Sequence, residues 1–217
     1  MKKVLYITCS SKPENLSASK TVAKHFLTEW LACHKELEVE ELNLYNMDVP
    51  QLKDCYLDGR CSLVTGSDYE KLSNEEKQCI EQIKSLAEQF KAADHYVIVA
   101  PLWNMKFPGP LSDYIDCINI NDITLTIAPD KIAGRLDDKN RIAVYVQASG
   151  GAVTPGKPCT QINHGGNYLK DVLSFMGIKT YHQVLVENTG FTAQEQHQAV
   201  EKGKQEAKEL ATKLCSC

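Results

Sequence analysis

The chain lacks the features that mark membrane and nucleic-acid-binding proteins. Its 217 residues contain no run of 18 or more apolar residues, so we expect neither a transmembrane helix nor a membrane partner. The net charge is -4 and no basic stripe is present, which argues against a nucleic-acid partner. The hydrophobic content of 43% is sufficient for one buried core, and no repeat or linker interrupts it. We therefore predict a single domain over residues 1–217.

Several catalytic motifs are also missing. There is no Gly-x-Gly-x-x-Gly turn and no Gly-Lys-Ser/Thr, which excludes the common dinucleotide loop and the P-loop. Asn15, rather than an arginine, lies six residues after Cys9, so the loop of a cysteine-dependent phosphatase is absent. No Ser-His-Asp, Cys-His or paired-carboxylate arrangement is recognisable. A bound cofactor would supply the chemistry in such a protein.

The nine cysteines are irregularly spaced and include no Cys-x-x-Cys pair. We therefore expect reduced thiols and no metal in the active site. Cys215 and Cys217 could bind a metal ion, or they could belong to a frayed tail. The short apolar run near Met1 is not followed by a small-residue cleavage site, so we predict a first strand there and a cytoplasmic location.

Strand-like and helix-like segments alternate along the chain. Strands are predicted over residues 4–8, 38–42, 95–100, 142–147 and 180–186. Helices are predicted over residues 17–34, 74–93, 110–119, 168–176 and 192–214. This alternation predicts an α/β doubly wound, five-stranded parallel sheet with strand order 2-1-3-4-5. A ligand crevice is expected where strands one and three diverge. The longer segments 50–73 and 120–140 are predicted to be irregular lids or interface arms.

The loop after the first strand is suited to a phosphate. Ser10 lies in this loop, and Ser17, Ala18 and Ser19 open the predicted helix. A helix N-terminus offers unpaired N–H groups and a partial positive charge, and serine hydroxyls add further donors. Alternatively, Ser17 acts only as the helix N-cap.

The loop after the third strand is suited to a flat heterocycle such as a flavin ring. Pro101 ends the strand, because proline lacks the N–H that a sheet needs. Leu102, Trp103 and Met105 offer apolar contact, and Asn104 offers both a donor and an acceptor. Alternatively, Trp103 is an aromatic plug of the core.

The loop after the fourth strand is rich in small residues. It reads Ala148, Ser149, Gly150 and Gly151, and the two glycines allow the backbone to approach a ring closely. Their amides could stabilise negative charge on a reduced ring, although the pair could equally form a plain turn. The three loops follow strands one, three and four, which meet at the expected crevice.

Taken in order, Ser17-Ala18-Ser19, residues 101–105 and residues 148–151 resemble the FMN-dependent NADH-azoreductases. These enzymes belong to the flavodoxin-like NAD(P)H:quinone oxidoreductases. The resemblance implies a flavodoxin-like fold, bound FMN (FAD being the alternative), and NADH or NADPH as donor. It also implies ping-pong hydride transfer to quinones or azo compounds, and a homodimer with active sites at its interface.

The same resemblance implies that Ser17 and Ser19 hold the phosphate of FMN. It also implies that residues 102–105 line the flavin ring and that residues 149–151 contact the pyrimidine end of the ring. His164 is the candidate for assisting proton transfer, and Asn188 and Thr189 are candidates to border the pocket. Residues 124–127 contain no aromatic where many relatives have one, so quinones are expected before azo dyes. Two other functions stay open: a flavodoxin-type electron carrier without its own turnover, and a flavin-free interaction protein.

Overall fold

The computed structural model describes residues 1–156 and 162–216. In these residues the strands are β1 (Lys2–Thr8), β2 (Leu37–Asn43), β3 (His95–Pro101), β4 (Leu125–Ala128), β5 (Lys131–Gly134), β6 (Ile142–Ala148) and β7 (Thr180–Val186). The helices are α1 (Ala18–Cys33), α2 (Gly66–Glu70), α3 (Asn74–Ala92), α4 (Gly109–Ile118), α5 (His164–Met176) and α6 (Ala193–Cys215). None of these helices is long and apolar enough to cross a membrane.

Five strands form one parallel sheet in the order β2-β1-β3-β6-β7. This is the predicted order 2-1-3-4-5 once β4 and β5, which lie outside the sheet, are left out. The central strands β1, β3 and β6 are almost wholly buried, as expected for apolar strands with helices on both faces. The five-stranded parallel sheet predicted from sequence is therefore confirmed.

The segment 120–140 was expected to be irregular, and this expectation is wrong. It contains the antiparallel hairpin of β4 and β5, with Ala128 paired to Lys131 across a two-residue turn. Each strand is only four residues long, too short to show a clear alternating pattern. The segment 50–73 likewise contains a 3-10 turn at Asp54–Tyr56 and the short helix α2.

Helix α5 begins at His164, earlier than the predicted start at residue 168. The sequence does not indicate this start, because Gly165 and Gly166 occupy the first turn and glycine has a low helix propensity. The turn is stabilised from outside the helix: the side-chain oxygen of Asn163 accepts a hydrogen bond from the Gly166 N–H at 2.9 Å.

Two apolar cores fill the two faces of the sheet. Along β1, Val4 and Tyr6 point to the face covered by α1 and α6, whereas Leu5 and Ile7 point to the face covered by α3, α4 and α5. This alternation follows from the two-residue period of a strand. Each face is sealed by helices, so ligands reach the sheet only at its ends.

A disulfide joins Cys33, at the end of α1, to Cys215, at the end of α6. The expectation of reduced thiols therefore does not hold for this pair in the structure. The pairing could not be recognised from the sequence, because the two cysteines are 182 positions apart in the chain. The free cysteines among the described residues are Cys9, Cys55, Cys61, Cys79 and Cys117.

Candidate functional site

A cleft of about 220 Å³ opens at the carboxyl ends of β1, β3 and β6. Three of its walls are the loops that follow these strands, and the fourth comes from the chain after β7 and the start of α6. The lining residues are Ser10, Ser11, Lys12, Leu16, Ser17, Ala18, Ser19, Pro101, Leu102, Trp103, Ala148, Gly150, Thr189, Gly190 and Gln196.

Most of the residues that were predicted to bind a cofactor line this one cleft. Those that do are Ser10, Ser17, Ala18, Ser19, Pro101, Leu102, Trp103, Ala148 and Gly150. The other predicted contacts, which belong to the same loops without lining the cleft, are Asn104, Met105, Ser149 and Gly151. Thr189 lines the cleft as expected, whereas Asn188 does not. The structure thus brings the three loops together, and their contacts with a cofactor remain a prediction.

The first loop ends in a chain of buried hydroxyl groups. Ser17 Oγ lies 3.3 Å from Ser10 Oγ and 3.3 Å from Ser19 Oγ. Ser17 is also the N-cap of α1, because its Oγ accepts a hydrogen bond from the Lys20 N–H at 3.4 Å. The two readings of Ser17 are therefore compatible, since the same hydroxyl caps the helix and lines the cleft.

A buried lysine supports this loop. The ammonium group of Lys20 donates hydrogen bonds to the carbonyl oxygens of Ser10 at 2.8 Å and Lys12 at 2.9 Å. Lys20 is only 8% exposed, so its charge acts where solvent screens it little. Together with the N-terminus of α1, it makes this end of the cleft favourable for an anion.

The second loop is a tight turn in an uncommon backbone conformation. Trp103 and Lys106 pair through their backbones, with N–O distances of 2.6 and 2.9 Å. Between them, Asn104 and Met105 have left-handed φ angles of 49° and 65°. Such angles are rare outside glycine and cluster at functional sites. The turn leaves the Trp103 and Met105 side chains half exposed, at 50% and 49%, which presents an apolar surface beside the cleft.

The start of α5 holds the second loop in place. The N–H groups of His164 and Gly165 both donate to the carbonyl oxygen of Met105, at 2.9 and 3.3 Å. Gly165 permits this approach, because a Cβ there would lie 3.0 Å from Cδ1 of Phe107. The His164 side chain is exposed and does not line the cleft, so its role in proton transfer remains a prediction.

The third loop is fixed by a buried carboxylate that the sequence did not single out. Glu187 Oε1 accepts hydrogen bonds from the N–H groups of Val153 at 2.7 Å and Thr154 at 2.6 Å. Ser149 adds a bond from its hydroxyl to the carbonyl oxygen of Gly151 at 2.7 Å. Gly150 faces open space, so nothing prevents a flat ligand from approaching its backbone.

Sequence reasoning missed several lining residues. Three of them belong to the first loop: Ser11, Lys12 and Leu16. Each lies close in sequence to Ser10 or Ser17, which the sequence predicts as cofactor contacts. Gly190 and Gln196 come from the far end of the chain and reach the cleft only because β7 lies beside β6. The sequence around Gln196 gives no indication that this residue lines a cleft, because it is an ordinary polar residue in the first turn of α6.

Cys9 lies under the cleft but is not suited to act as a nucleophile. Its side chain is fully buried, and this burial raises the pKa of the thiol to about 12. The thiolate is the reactive form of cysteine, and it is scarce near neutral pH when the pKa is this high. Chemistry at the cleft therefore does not rest on this thiol.

The comparison with known families agrees with the five-stranded parallel sheet. The family model Flavodoxin_2, described as a flavodoxin-like fold, matches residues 2–211. The chain belongs to this family. Among the relatives of this chain, the FMN-dependent NADH:quinone oxidoreductase of Clostridium botulinum (strain Alaska E43 / Type E3) is 43% identical over 203 residues. The match covers 93% of this chain and 94% of that relative.

Two further relatives extend over almost the whole chain. The FMN-dependent NADH:quinone oxidoreductase 1 of Clostridium acetobutylicum is 39% identical, with 99% of this chain and 96% of that one covered. The crystal structure of an FMN-dependent NADH-azoreductase from Bacillus anthracis in complex with FMN has a TM-score of 0.83 and 31% identity. It covers 99% of this chain and 100% of its own.

Proposed function

We propose that this protein is an FMN-dependent oxidoreductase that transfers hydride from NADH to quinones. One observation carries the proposal: a single cleft joins a buried chain of serine hydroxyls at a helix N-terminus to an apolar turn at its other side. The first feature suits a phosphate and the second a flat ring, and FMN contains both. The relatives, named as FMN-dependent NADH:quinone oxidoreductases, support the same cofactor and the same substrates.

The residues present fit FMN at both ends. At the phosphate end, Ser10, Ser17 and Ser19 supply hydroxyl donors, while Lys20 and α1 supply positive potential. At the ring end, Trp103 and Met105 offer the half-exposed apolar surface that a ring would cover. Gly150 would leave the backbone of the third loop accessible to the ring edge.

Bound FMN would supply two-electron hydride chemistry between NADH and an acceptor. The cleft would receive the donor and the acceptor in turn, which would give a ping-pong order. Trp103 and Met105 would offer apolar contact to the ring and shield that contact from water. The described residues that line the cleft include no histidine, aspartate, glutamate, cysteine or tyrosine, so protons for the reduced quinone would come from solvent.

The visible spectrum of the purified protein tests this proposal. We expect flavin absorption bands that bleach on anaerobic addition of NADH and return on addition of a quinone. Steady-state rates should give parallel double-reciprocal lines, and NADPH and azo dyes are compared in parallel reactions. Bands that bleach with dithionite but not with NADH would identify an electron carrier. A protein that stays colourless after reconstitution with FMN or FAD would overturn the proposal.

We also propose that the active form is a homodimer with its active sites at the interface. The exposed apolar side chains of Ile132 on β5 and Phe175 on α5 support this assembly, because exposed apolar patches commonly mark interaction sites. Light scattering coupled to size exclusion should give twice the chain mass of 24.2 kDa. A monomer with full quinone reductase activity would contradict it.

Removing the Glu187 carboxylate should weaken FMN binding. Glu187→Ala leaves two backbone N–H groups without a charged acceptor, and a hydrogen bond to a charged group contributes about 1.5–3 kcal/mol. We expect about a 10-fold loss of FMN affinity, measured by quenching of flavin fluorescence.

Glu187→Gln is the matched control, because the amide keeps one acceptor oxygen for the same loop. It should lose no more than about 3-fold in affinity. Equal FMN affinity in Glu187→Ala and the unmodified protein would show that the loop does not depend on this contact.

A further inference from the structure

A second cluster of reactive side chains lies at the opposite end of the sheet from the cleft. Cys33 is the last residue of α1, His34 is its C-cap, and Cys215 is the last residue of α6. The Cα atoms of the two cysteines are 6.0 Å apart. Because α1 and α6 cover the same face of the sheet, the fold itself holds these side chains together.

Breaking the disulfide would leave three metal-binding side chains close together. One ligand atom from each of Cys33, His34 and Cys215 lies within 4.8 Å of the other two. In a tetrahedral zinc site, bonds of about 2.0–2.3 Å place neighbouring donors roughly 3.5–3.8 Å apart. Small side-chain rotations therefore bring the three donors to zinc-binding distance. Thiolate and imidazole are also the ligands that zinc prefers in proteins.

A carboxylate already orients the histidine. Nδ1 of His34 lies 3.0 Å from Oε1 of Glu36. Metal-binding histidines usually donate one ring N–H to such a carboxylate, which fixes the tautomer and leaves the other nitrogen free to bind. The other nitrogen, Nε2, lies 3.4 Å from the carbonyl oxygen of Leu214, the residue before Cys215, and gives up this contact when it binds the metal.

We propose that the Cys33–Cys215 disulfide, once reduced, becomes a zinc site formed by the two sulfurs and Nε2 of His34, with water as the fourth ligand. Reduction by a small dithiol breaks the S–S bond, oxidises the dithiol to its own disulfide and leaves two protein thiols. Binding of Zn²⁺ then releases both thiol protons to solvent. Cys33 is exposed, which gives the ion a path to the site.

This site is separate from the proposed hydride transfer. Ser17 and Ser19 of the cleft lie at the start of α1, and Cys33 lies at its end. A helix of 16 residues is about 24 Å long, so no shared ligand connects the two places. Bound zinc would link the C-terminal ends of α1 and α6. Substitutions at this site should leave quinone turnover unaltered.

Zinc titration of the full-length protein tests the proposal. The protein is reduced, freed of reductant under anaerobic conditions, and titrated with Zn²⁺ against a chromophoric chelator. We expect one zinc ion per chain, with affinity at least about 100-fold lower in Cys33→Ser and His34→Gln, and about 10-fold lower in Glu36→Gln. Cys55→Ser, which removes an exposed free thiol elsewhere, is the control and should bind as the unmodified protein does.

Cobalt provides a second measurement that does not depend on the chelator. Co²⁺ bound to the reduced protein should show a thiolate charge-transfer band that is lost in Cys33→Ser. The proposal is overturned if the reduced protein binds no stoichiometric zinc, or if Cys33→Ser binds it undiminished. It is also overturned if the disulfide resists dithiol reduction in the folded protein. Loss of quinone turnover alone would bear on the proposed function and not on this site.

Discussion

Ser17→Asp should lower the affinity for FMN by at least about 100-fold while leaving the fold intact. Aspartate is as good a helix N-cap as serine, so α1 keeps its cap. The new carboxylate would lie among the hydroxyls of Ser10 and Ser19, where the FMN phosphate is expected. Two like charges about 4 Å apart near a protein surface repel each other by roughly 4 kcal/mol. Even after partial screening, this repulsion exceeds the 2.7 kcal/mol or so that a 100-fold loss requires.

Ser17→Asn separates the effect of charge from that of shape. Asparagine also caps helices well but carries no charge, so we expect an FMN affinity within about 10-fold of that of the unmodified protein. Flavin fluorescence titration measures both variants, and circular dichroism checks that both fold. Similar affinities for Ser17→Asp and Ser17→Asn would show that the phosphate does not bind at this helix N-terminus.

Gly134→Ala should lower the stability more than the same substitution at any other glycine whose surroundings the structure describes. A Cβ at this position would overlap the backbone carbonyl groups of Met176 and Phe175, at the end of α5. Backbone atoms cannot rotate away as a side chain can, so the hairpin must separate from the helix. We expect a loss of about 3 kcal/mol, at the upper end of the usual cost of overpacking.

For a chain of this size, that loss corresponds to a melting temperature lower by about 6–12 °C. Differential scanning calorimetry measures it. Gly150→Ala is the matched control, because a Cβ there meets no atom within 4 Å and the backbone is not in the left-handed region. This control should melt at the same temperature or slightly higher, since alanine restricts the unfolded chain. Equal melting temperatures for the two variants would mean that β5 and α5 do not pack in solution as they do in the structure.

The parallel sheet could be predicted because its signals are local. The strands around Val97 and Val144 are continuous apolar runs between helical segments, a pattern that permits few other folds. The positions of the three cleft loops then followed from topology alone, since parallel strands end at the same edge of a sheet. Pro101 and Gly150 were recognisable because each has a distinct effect on the backbone.

The remaining features depend on contacts between distant parts of the chain. The hairpin of β4 and β5 packs against the end of α5, where Gly134 permits close approach, and its short strands carry little pattern of their own. Gln196 reaches the cleft only through the position of β7, and Glu187 acquires its role only when the third loop folds over it. Local propensity contains no information about such contacts.

The two tryptophans of the chain lie in opposite surroundings. Trp30 is 1% exposed and packs against Phe26 and His95, whereas Trp103 is 50% exposed beside the cleft. Their emission spectra should therefore separate, with a blue-shifted component from the core and a red-shifted component from the cleft. A ligand that covers the turn would quench the red component first, and unfolding would shift the blue one. The protein thus carries its own optical reporters of occupancy and of folding, and neither requires a label.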